Sequence, residues 1–293
     1  MLSIIKKRKI WFGLSGVLIV ASLVALVVFG LNLGIDFKGG SLTELEFADS
    51  RPEKAELEKA VTDFGLKDIS VQTTEDKGYI VRTETIDEVK HQLLLQNLQE
   101  KYSRVEEIRY ESIGPTIGNE LKGKAIYALV MVIVAIVLYI AYAFRKVSVS
   151  ISSWKFGLCA IVALFHDVIV VLGIFALLGK FAGVQIDSLF VVALLTVLGY
   201  SVNDTIVVFD RVRYNIIKST SKSLEDTVEQ GVNQTLVRSL NTSITTLLVL
   251  SALYLFGGAT ISWFILALIA GVVAGTYSSI FVASPLLVAW SKR

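Results

Sequence analysis

Six long apolar runs constrain the fold of this chain more than any other feature of its sequence. An α-helix needs about 20 apolar residues to cross roughly 30 Å of hydrocarbon. The runs cover residues 10–31, 125–144, 154–178, 187–209, 236–256 and 261–290. Hydrophobic residues make up 54% of the chain and charged residues only 18%, whereas soluble domains carry about a quarter of charged residues. The sequence therefore predicts an α-helical membrane protein with six transmembrane helices.

The first and last runs differ from an ordinary span. The first follows the basic cluster 6–9, which resembles the start of a signal peptide. Its apolar stretch is longer than the about 7–15 residues of a signal sequence, so a retained first span is predicted. The last run, 261–290, is too long for one straight crossing. We expect it to tilt, to end along the membrane surface, or to break near Pro285.

Basic residues occur at alternate ends of the predicted spans. They precede the first run, separate the second from the third and the fourth from the fifth, and end the chain, whereas the opposite short loops hold only Lys180. The residues concerned are Lys6, Lys7, Arg8, Lys9, Arg145, Lys146, Lys155, Arg211, Arg213, Lys218, Lys222, Lys292 and Arg293. By the positive-inside rule both termini are predicted to be cytoplasmic, which agrees with an even number of spans.

One polar segment, residues 32–121, separates the first two spans and is predicted to lie outside the cytoplasm. Residues 42–47 alternate as a half-buried strand does, and 52–64 have a helical pattern with Pro52 near its start. Strands at 69–73, 79–83 and 105–112, a turn at 75–78 and a helix at 86–102 complete the segment. This β-α-β-β-α-β order predicts a ferredoxin-like α+β domain. The predicted organisation is 1–31 with the first helix, 32–121 as the outer domain, and 122–293 with the other helices and a cytoplasmic loop at 210–235.

Two glycine motifs, at 33–40 and 114–118, bracket the outer domain. The first leads into a strand rather than a helix N-terminus, so a phosphate cradle is a poor interpretation. The plainer interpretation is a pair of stiff turns where the chain leaves the membrane. The functional interpretation is a pair of hinges at Gly39 and Gly40 and at Gly114 and Pro115. The sequence leaves both open.

A carboxylate, Asp204, lies inside the fourth predicted span. An intramembrane charge costs about 2.5–3.5 kcal/mol on insertion scales, so it indicates a functional site. Ser201 and Thr205 share its helix face and Asn203 borders it, and the fifth span carries a similar stripe. That stripe comprises Arg238, Asn241, Thr242 and Thr245. Asp204 opposite Arg238 predicts either a static ion pair or an ion-coupling pair, and the weak stabilisation from buried pairs favours coupling.

The third predicted span carries a second polar pair, His166 and Asp167, near its middle. Polar groups at that depth face the bundle interior or a water-filled cavity. They either hold helices together through hydrogen bonds or form a proton relay, since histidine titrates near neutral pH. No serine or cysteine nucleophile stands beside the pair, which argues against hydrolase chemistry and against an enzyme.

The sequence offers no site for a cofactor, a metal or a nucleic acid. Its single cysteine, Cys159, lies within an apolar run and provides neither a disulfide nor a metal cluster. It contains no P-loop, so ATP is not the driver. Any work must then come from an ion gradient, at about 2.3 kcal/mol per charge per 100 mV.

These motifs together resemble the SecF branch of the SecD/SecF family of protein-export membrane proteins, within the resistance-nodulation-division superfamily. The resemblance runs from end to end, and its most specific parts are residues 199–213 and 238–243. Residues 202–205 are similar to the SecF form, whereas SecD carries an Asp-Ala-Asn version there. Tyr214 departs from the family, which usually has Glu after Arg-Val-Arg, and this puts only that loop's contacts in doubt.

The resemblance implies a function that spacing alone does not show. Members pair with SecD, work beside the SecYEG translocon in the bacterial inner membrane, and use the proton motive force (sodium in some relatives) to complete export of unfolded polypeptide. It implies that Asp204 and Arg238 couple the ion, and that His166 and Asp167 belong to a family motif. The open alternatives are a scaffolding partner of SecD without ion coupling, and half of an efflux pump.

Overall fold

The structure, a computed structural model, describes residues 2–48, 51–74, 77–102, 104–144, 153–218 and 223–291. The helices are α1 (Arg8–Phe29), α2 (Ile35–Lys38), α3 (Lys54–Asp63), α4 (Glu88–Lys101), α5 (Pro115–Ala143), α6 (Ser153–Ala182), α7 (Ser188–Lys218), α8 (Leu224–Phe256), α9 (Ala259–Ser278) and α10 (Ser284–Ser291). The strands are β1 (Gly40–Phe47), β2 (Ser70–Thr73), β3 (Gly78–Thr83) and β4 (Val105–Ile113). The predicted turn residues Glu75 and Asp76, and the basic residues Arg145, Lys146, Lys222, Lys292 and Arg293, lie outside the described ranges.

Six helical segments are long and apolar enough to cross a membrane, as predicted. They are α1, α5, α6, α7, α8, and α9 together with the π-helical turn and α10 that continue it. The apolar stretches of α6 and α7 are 50% buried, whereas those of α5 and α8 are only 6% and 11% buried. The central helices of this chain are therefore α6, α7 and α9, and α5 and α8 keep most of their surface for lipid or another chain.

Small residues set the closest helix crossings in the bundle. A Cβ atom added at Gly173 of α6 would lie 2.3 Å from the Cβ of Ser22 on α1. One added at Gly271 of α9 would lie 2.1 Å from a methyl group of Val197 on α7. Because lipid tails are as apolar as leucine, helices associate in membranes through such close packing. Gly271 brings α7 near enough to α9 for short side chains to bond across the crossing.

The last apolar run changes its helical hydrogen-bonding pattern just before Pro285. A π-helical turn, Ser279–Ala283, separates α9 from α10. Proline removes one backbone donor, and a π-turn is one way a helix accommodates that loss. The Ser284 hydroxyl donates to the Ser279 carbonyl at 3.1 Å. The turn occurs where the length of the run predicted a break, and it points several serine side chains into the bundle.

The outer domain has the predicted ferredoxin-like fold. Its antiparallel sheet has the strand order β2-β3-β1-β4, which is the order a β-α-β-β-α-β chain adopts in this fold. Leu57 and Val61 of α3 and Leu94 of α4 are buried against the sheet in one core with Leu45. The opposite face of the sheet turns toward the outer ends of the membrane helices, across a cleft of about 940 Å³.

Two predicted boundaries need correction. α5 begins at Pro115 rather than near residue 122, because proline at the first helical position starts a helix well and nothing interrupts it before the apolar run. The predicted loop 210–235 is largely helical, since α7 continues to Lys218 and α8 begins at Leu224. Both helices continue into polar sequence beyond the apolar runs. The apolar runs therefore predicted the membrane spans but not the ends of the helices.

The N-terminal segment packs against this extension of α8. The buried Glu229 carboxylate accepts the backbone N–H groups of Ile4 at 2.6 Å and Ile5 at 2.9 Å. Arg8 forms an ion pair with Glu225 at 2.9 Å. The N-terminus and the α7–α8 connection therefore lie at the same end of the bundle, and α1 leads from there to the outer domain at the opposite end.

Candidate functional site

Asp204 lies on α7, where that helix faces α8, and its two oxygens have different surroundings. The Ser239 hydroxyl of α8 donates to Oδ1 at 2.6 Å. Oδ2 is buried and has no hydrogen bond of ordinary geometry among the described residues, although the Ser279 hydroxyl of the π-turn lies close enough to the carboxylate to interact with it. Buried polar atoms are normally paired, so an unpaired carboxylate oxygen calls for a functional explanation. It leaves a position where a proton, a water molecule or a cation can be held.

Arg238 does not contact Asp204 directly in this structure. Its side chain is exposed on α8, and the described residues show no ion pair within 4.0 Å between the two. The next residue, Ser239, is 1% exposed and supplies the contact instead. Successive residues on a helix point about 100° apart, so the arginine is directed away while the shorter serine faces α7.

The two predicted polar stripes face out of the chain rather than only toward each other. The exposed members are Asn203, Arg238, Asn241, Thr242 and Thr245. Thr242 and Thr245 donate to the backbone carbonyls of Arg238 and Asn241, at 3.0 and 2.9 Å. Such bonds to the preceding turn satisfy threonine hydroxyls but leave the asparagine and arginine side chains available. An intramembrane surface of this composition is suited to another polar helix or a water-filled path, and not to lipid.

Asp167 accepts hydrogen bonds on both of its carboxylate oxygens. It is fully buried on α6, and its Oδ2 accepts the hydroxyls of Ser201 at 2.6 Å and Ser278 at 2.8 Å. His166 Nδ1 lies 3.0 Å from Oδ1, while His166 Nε2 is buried without a partner in the described part of the chain. Asp167 thus links α6, α7 and α9 through hydrogen bonds. Asp204 differs, because only one of its two oxygens has a hydrogen bond of ordinary geometry among the described residues.

Hydroxyl groups connect the surroundings of the two carboxylates. Thr205, one position after Asp204, shares a hydrogen bond of 2.9 Å with Ser279 of the π-turn. Ser243 of α8 bonds Thr276 of α9 at 2.5 Å and Tyr200 of α7 at 3.0 Å. Ser201, Asp204 and Thr205 therefore share one face of α7, as predicted, and this face contacts the side chains around both Asp167 and Asp204.

Sequence reasoning missed three serines that lie around the two aspartates. Ser239, Ser278 and Ser279 were not predicted as part of the site. A signal was present, since Ser278 and Ser279 are adjacent polar residues inside an apolar run and precede a proline. Serine is common in transmembrane helices, however, because its hydroxyl can bond its own backbone, and this weakens the signal.

The two glycine motifs meet at the base of the outer domain. Gly39 has a φ of 81°, and a Cβ there would lie 2.9 Å from the Pro115 Cα. A Cβ at Gly118 would lie 2.8 Å from the Gly39 nitrogen. Gly40, with a φ of 140°, leads directly into β1, and Gly114 precedes the first residue of α5. The predicted hinge residues are therefore neighbours, and whether they act as a hinge stays a prediction.

The described residues contain no group of three or more His, Cys, Asp or Glu side chains that could hold a metal ion. Asp167 and Asp204 each accept a hydrogen bond from a serine hydroxyl group. Carboxylate, hydroxyl, imidazole and guanidinium groups together can bind and move protons, water and small cations.

Known proteins resemble the chain over its whole length. A family model described as "Protein export membrane protein SecD/SecF, C-terminal" matches residues 94–293, and one described as "SecD/SecF GG Motif" matches residues 24–50. Protein translocase subunit SecF of Thermobaculum terrenum is 45% identical, with 100% of this chain and 95% of the relative covered. That of Anaerolinea thermophila is 41% identical, with the same coverage.

Solved structures show the same similarity in three dimensions. SecDF from Thermus thermophilus, a translocon-associated membrane protein, matches 99% of this chain with a TM-score of 0.86 and 32% identity. SecDF in its super-membrane-facing form matches with a TM-score of 0.72 and 31% identity. The chain spans only 38% and 39% of those two longer proteins. On the family models, the identities and the shared structure together, this chain belongs to the SecD/SecF family of protein-export membrane proteins.

Proposed function

We propose that this chain is the SecF-type half of a SecD–SecF complex in the bacterial inner membrane, and that it uses the proton motive force to help unfolded polypeptides complete export through SecYEG. The observation that carries the proposal is the Asp204 carboxylate, whose buried Oδ2 atom has no hydrogen bond of ordinary geometry among the described residues. It lies beside a helix face that carries the exposed side chains of Arg238 and Asn241. The names of the relatives support a translocase subunit rather than an enzyme.

Asp204 is the group on which an ion would act. When ionised, it is attracted to Arg238, which is nearby on α8 but not in contact. Binding a proton removes that attraction, so α7 and α8 are free to shift relative to each other. A charge that crosses the full membrane potential supplies about 2.3 kcal/mol per 100 mV. That energy is enough to change the population of two helix arrangements by more than tenfold.

The exposed stripe is the surface on which the second half would complete the site. α8 is largely unburied in this chain, yet Asn241 and Thr242 are polar and lie at membrane depth. A homologous SecD-type half can provide polar groups opposite them, whereas lipid cannot. The surrounding lipid is then in contact mainly with α1 and α5. We place both termini in the cytoplasm, supported by Arg8 and Lys155 lying at the same end of the bundle as Trp290.

The outer domain would contact the emerging polypeptide outside the cytoplasm. It is small, and the glycine motifs tie it to α5 through the contact of Gly39 with Pro115. A shift of the membrane helices can therefore reach it through few connections. The two glycine motifs would be the hinge of that movement.

The test is completion of export in inner-membrane vesicles that carry the complex with an Asp204→Asn or Arg238→Met change. The matched control is Asp210→Asn, on the same helix, whose side chain is 61% exposed and paired with Arg213. We expect the first two variants to assemble with SecD but to lose the stimulation of export by the membrane potential, and the control to keep it. Near-normal stimulation in both site variants would refute ion coupling by this chain.

The same variants distinguish a scaffolding role from ion coupling. A scaffold predicts loss of the complex with SecD instead of loss of coupling in an intact complex. Proton and sodium coupling separate when pH and sodium concentration are varied independently. His166 and Asp167, which the sequence also suggested as coupling residues, are bonded within this chain, and we assign them to holding the helices together.

A further inference from the structure

The first glycine motif makes a direct connection to the helix that carries Asp204. We call residues 32–40 the strap. Its backbone runs beside the segment before α7: Ile186 donates to the Asn32 carbonyl at 2.8 Å, and Gly34 donates to the Ile186 carbonyl at 2.8 Å. Leu33 and Ile186 form a parallel bridge. A Cβ at Gly34 would lie 3.0 Å from the Ile186 oxygen, so the two backbones are in contact without an intervening side chain.

Asp36, within the strap, caps α7. Its Oδ2 accepts the backbone N–H of Ser188, the first residue of α7, at 2.8 Å. Asp187 accepts the N–H of Phe190 at 2.9 Å, so two carboxylates satisfy the first turn. A helix N-terminus carries unpaired N–H groups and a partial positive charge, and acidic side chains stabilise it there. What is unusual is that one cap comes from 152 residues earlier in the chain, on a different structural unit.

The other end of the strap is fixed to the outer domain. The short helix α2 ends at Lys38, and Gly39 and Gly40 then turn the chain into β1 with φ values of 81° and 140°. Gly40 is paired with Ile113 at the end of β4. The strap therefore has the sheet at one end and the α7 cap near its middle, with α1 preceding it.

The geometry suits the transfer of a small displacement. Asp204 lies 16 residues after Ser188 on one uninterrupted helix, about 24 Å along its axis. A helix is stiff along its axis, so a shift at Asp204 also moves its capped end. Asp36 and Asp187 line the cleft between the sheet and the membrane helices, and Arg82 of β3 lies near Asp187 in the same cleft. The cleft leaves space for the sheet to tilt when the strap is displaced.

We propose that Asp36 is a positioning residue, whose carboxylate fastens α7 to the strap so that a shift of α7 at Asp204 is passed to the outer domain. This inference rests on the proposed function, because Asp204 supplies the shift. In this proposal the glycines of the first glycine motif form the turn, and its acidic residue, Asp36, connects the strap to α7. The motif is then the coupling element between the two parts of the chain.

Hydrogen–deuterium exchange on the purified complex with the SecD half tests this. Asp204→Asn mimics the protonated carboxyl group, and we expect it to change amide exchange in residues 32–40 by about threefold or more. The same change made in an Asp36→Ala background is expected to leave the strap unaffected. Asp36→Asn keeps an acceptor oxygen for Ser188 and is expected to restore the response.

The matched control is Asp87→Ala. Asp87 caps α4 in the outer domain by accepting the Lys90 N–H at 2.8 Å. Its replacement therefore removes a chemically equivalent helix cap that does not contact α7. The response to Asp204→Asn should survive in this background. An unchanged response in Asp36→Ala would overturn the inference, as would its loss in both cap variants or its absence in the native background.

The outcomes separate this inference from the proposed function. Loss of potential-driven export in Asp204→Asn, together with a normal strap response in Asp36→Ala, contradicts only the coupling role of Asp36. Normal export in Asp204→Asn contradicts the proposed function itself. Asp36→Ala is also expected to assemble with SecD in normal amounts but to lose stimulation of export, and Asp36→Asn to keep it.

Discussion

Replacing Asp167 tests whether this carboxylate is a hydrogen-bonding centre or an ion-binding group. Asp167→Ala removes the acceptor for two serine hydroxyls and for His166, which is three hydrogen bonds in all. In water-soluble proteins each buried group left unpaired costs about 1–3 kcal/mol. Between membrane helices the measured average is only about 0.6 kcal/mol per bond, with a maximum near 1.7, because the separated helices also find partners.

The membrane values decide the expected size. Three bonds at about 0.6 kcal/mol give roughly 2 kcal/mol, and the maximum gives about 5 kcal/mol. Ser278 reduces the loss, since its hydroxyl also reaches the Gly275 carbonyl at 3.2 Å. We expect Asp167→Ala to lower stability by about 2 kcal/mol, which corresponds to a fall in Tm of about 3 °C for a chain of this size.

Asp167→Asn provides the discriminating comparison. Its carbonyl oxygen keeps both serine bonds, and its amide N–H can donate to His166 Nδ1 once the imidazole proton moves to Nε2. Because Nε2 is unpaired in either tautomer, this exchange costs little. We expect a loss below about 1 kcal/mol.

The measurement is the thermal unfolding of the purified complex in detergent, followed by tryptophan fluorescence, with export assayed on the same variants. Asp167→Asn should retain potential-driven export, in contrast to Asp204→Asn. An Asn variant as unstable as the Ala variant would show that the negative charge, and not the bonds, holds α6, α7 and α9 together. Loss of export in a stable Asn variant would return Asp167 to the ion path and refute the reasoning.

Two further predictions concern the N-terminal segment of the chain and the outer domain. Glu229→Ala removes the acceptor of the Ile4 and Ile5 amides. Because charge-assisted hydrogen bonds contribute about 1.5–3 kcal/mol each, trypsin cleavage at Lys6 in the complex should accelerate at least tenfold. An unchanged cleavage rate would show that the N-terminal segment is held by packing alone. Burial and the nearby Glu56 carboxylate raise the pKa of Tyr102 to about 12 from 10, so the outer domain should lose stability as pH rises from about 10 to 12. Denaturant unfolding between these pH values measures the loss of stability, with Tyr102→Phe as the control. Equal pH dependence in the native protein and in Tyr102→Phe would exclude Tyr102 as the cause.

The sequence predicted the fold well because its signals are local. Each span is a continuous run, and lipid requires every backbone group in it to be paired within a helix. The strands of the outer domain alternate with period two, and their order leaves few topologies. The helix ends were less accurate, since α7 and α8 extend into polar sequence where hydropathy gives no signal.

The site was harder to predict because its contacts join distant positions. Asp204 was correctly placed within a span, but its contact is Ser239 and not the adjacent Arg238. A helical period identifies a polar face, yet it does not say which of two neighbours turns inward. The partners of Asp167 are 34 and 111 residues away, and Ser278 directly precedes a π-turn. Such contacts depend on helix packing that one sequence does not specify.

The distribution of satisfied and unsatisfied polar atoms indicates that the polar surface around Asp204 is completed by a second chain. Inside the bundle, Asp167 is bonded on both oxygens, and the hydroxyls around it are paired. At the exposed face of α8, Arg238 and Asn241 project from a helix at membrane depth, next to the unpaired oxygen of Asp204. A chain that folded alone in lipid would leave the exposed arginine and asparagine uncompensated, at a cost of several kcal/mol. Since this chain satisfies its other intramembrane carboxylate with its own side chains, the unpaired groups around Asp204 are best explained by a facing half that completes them.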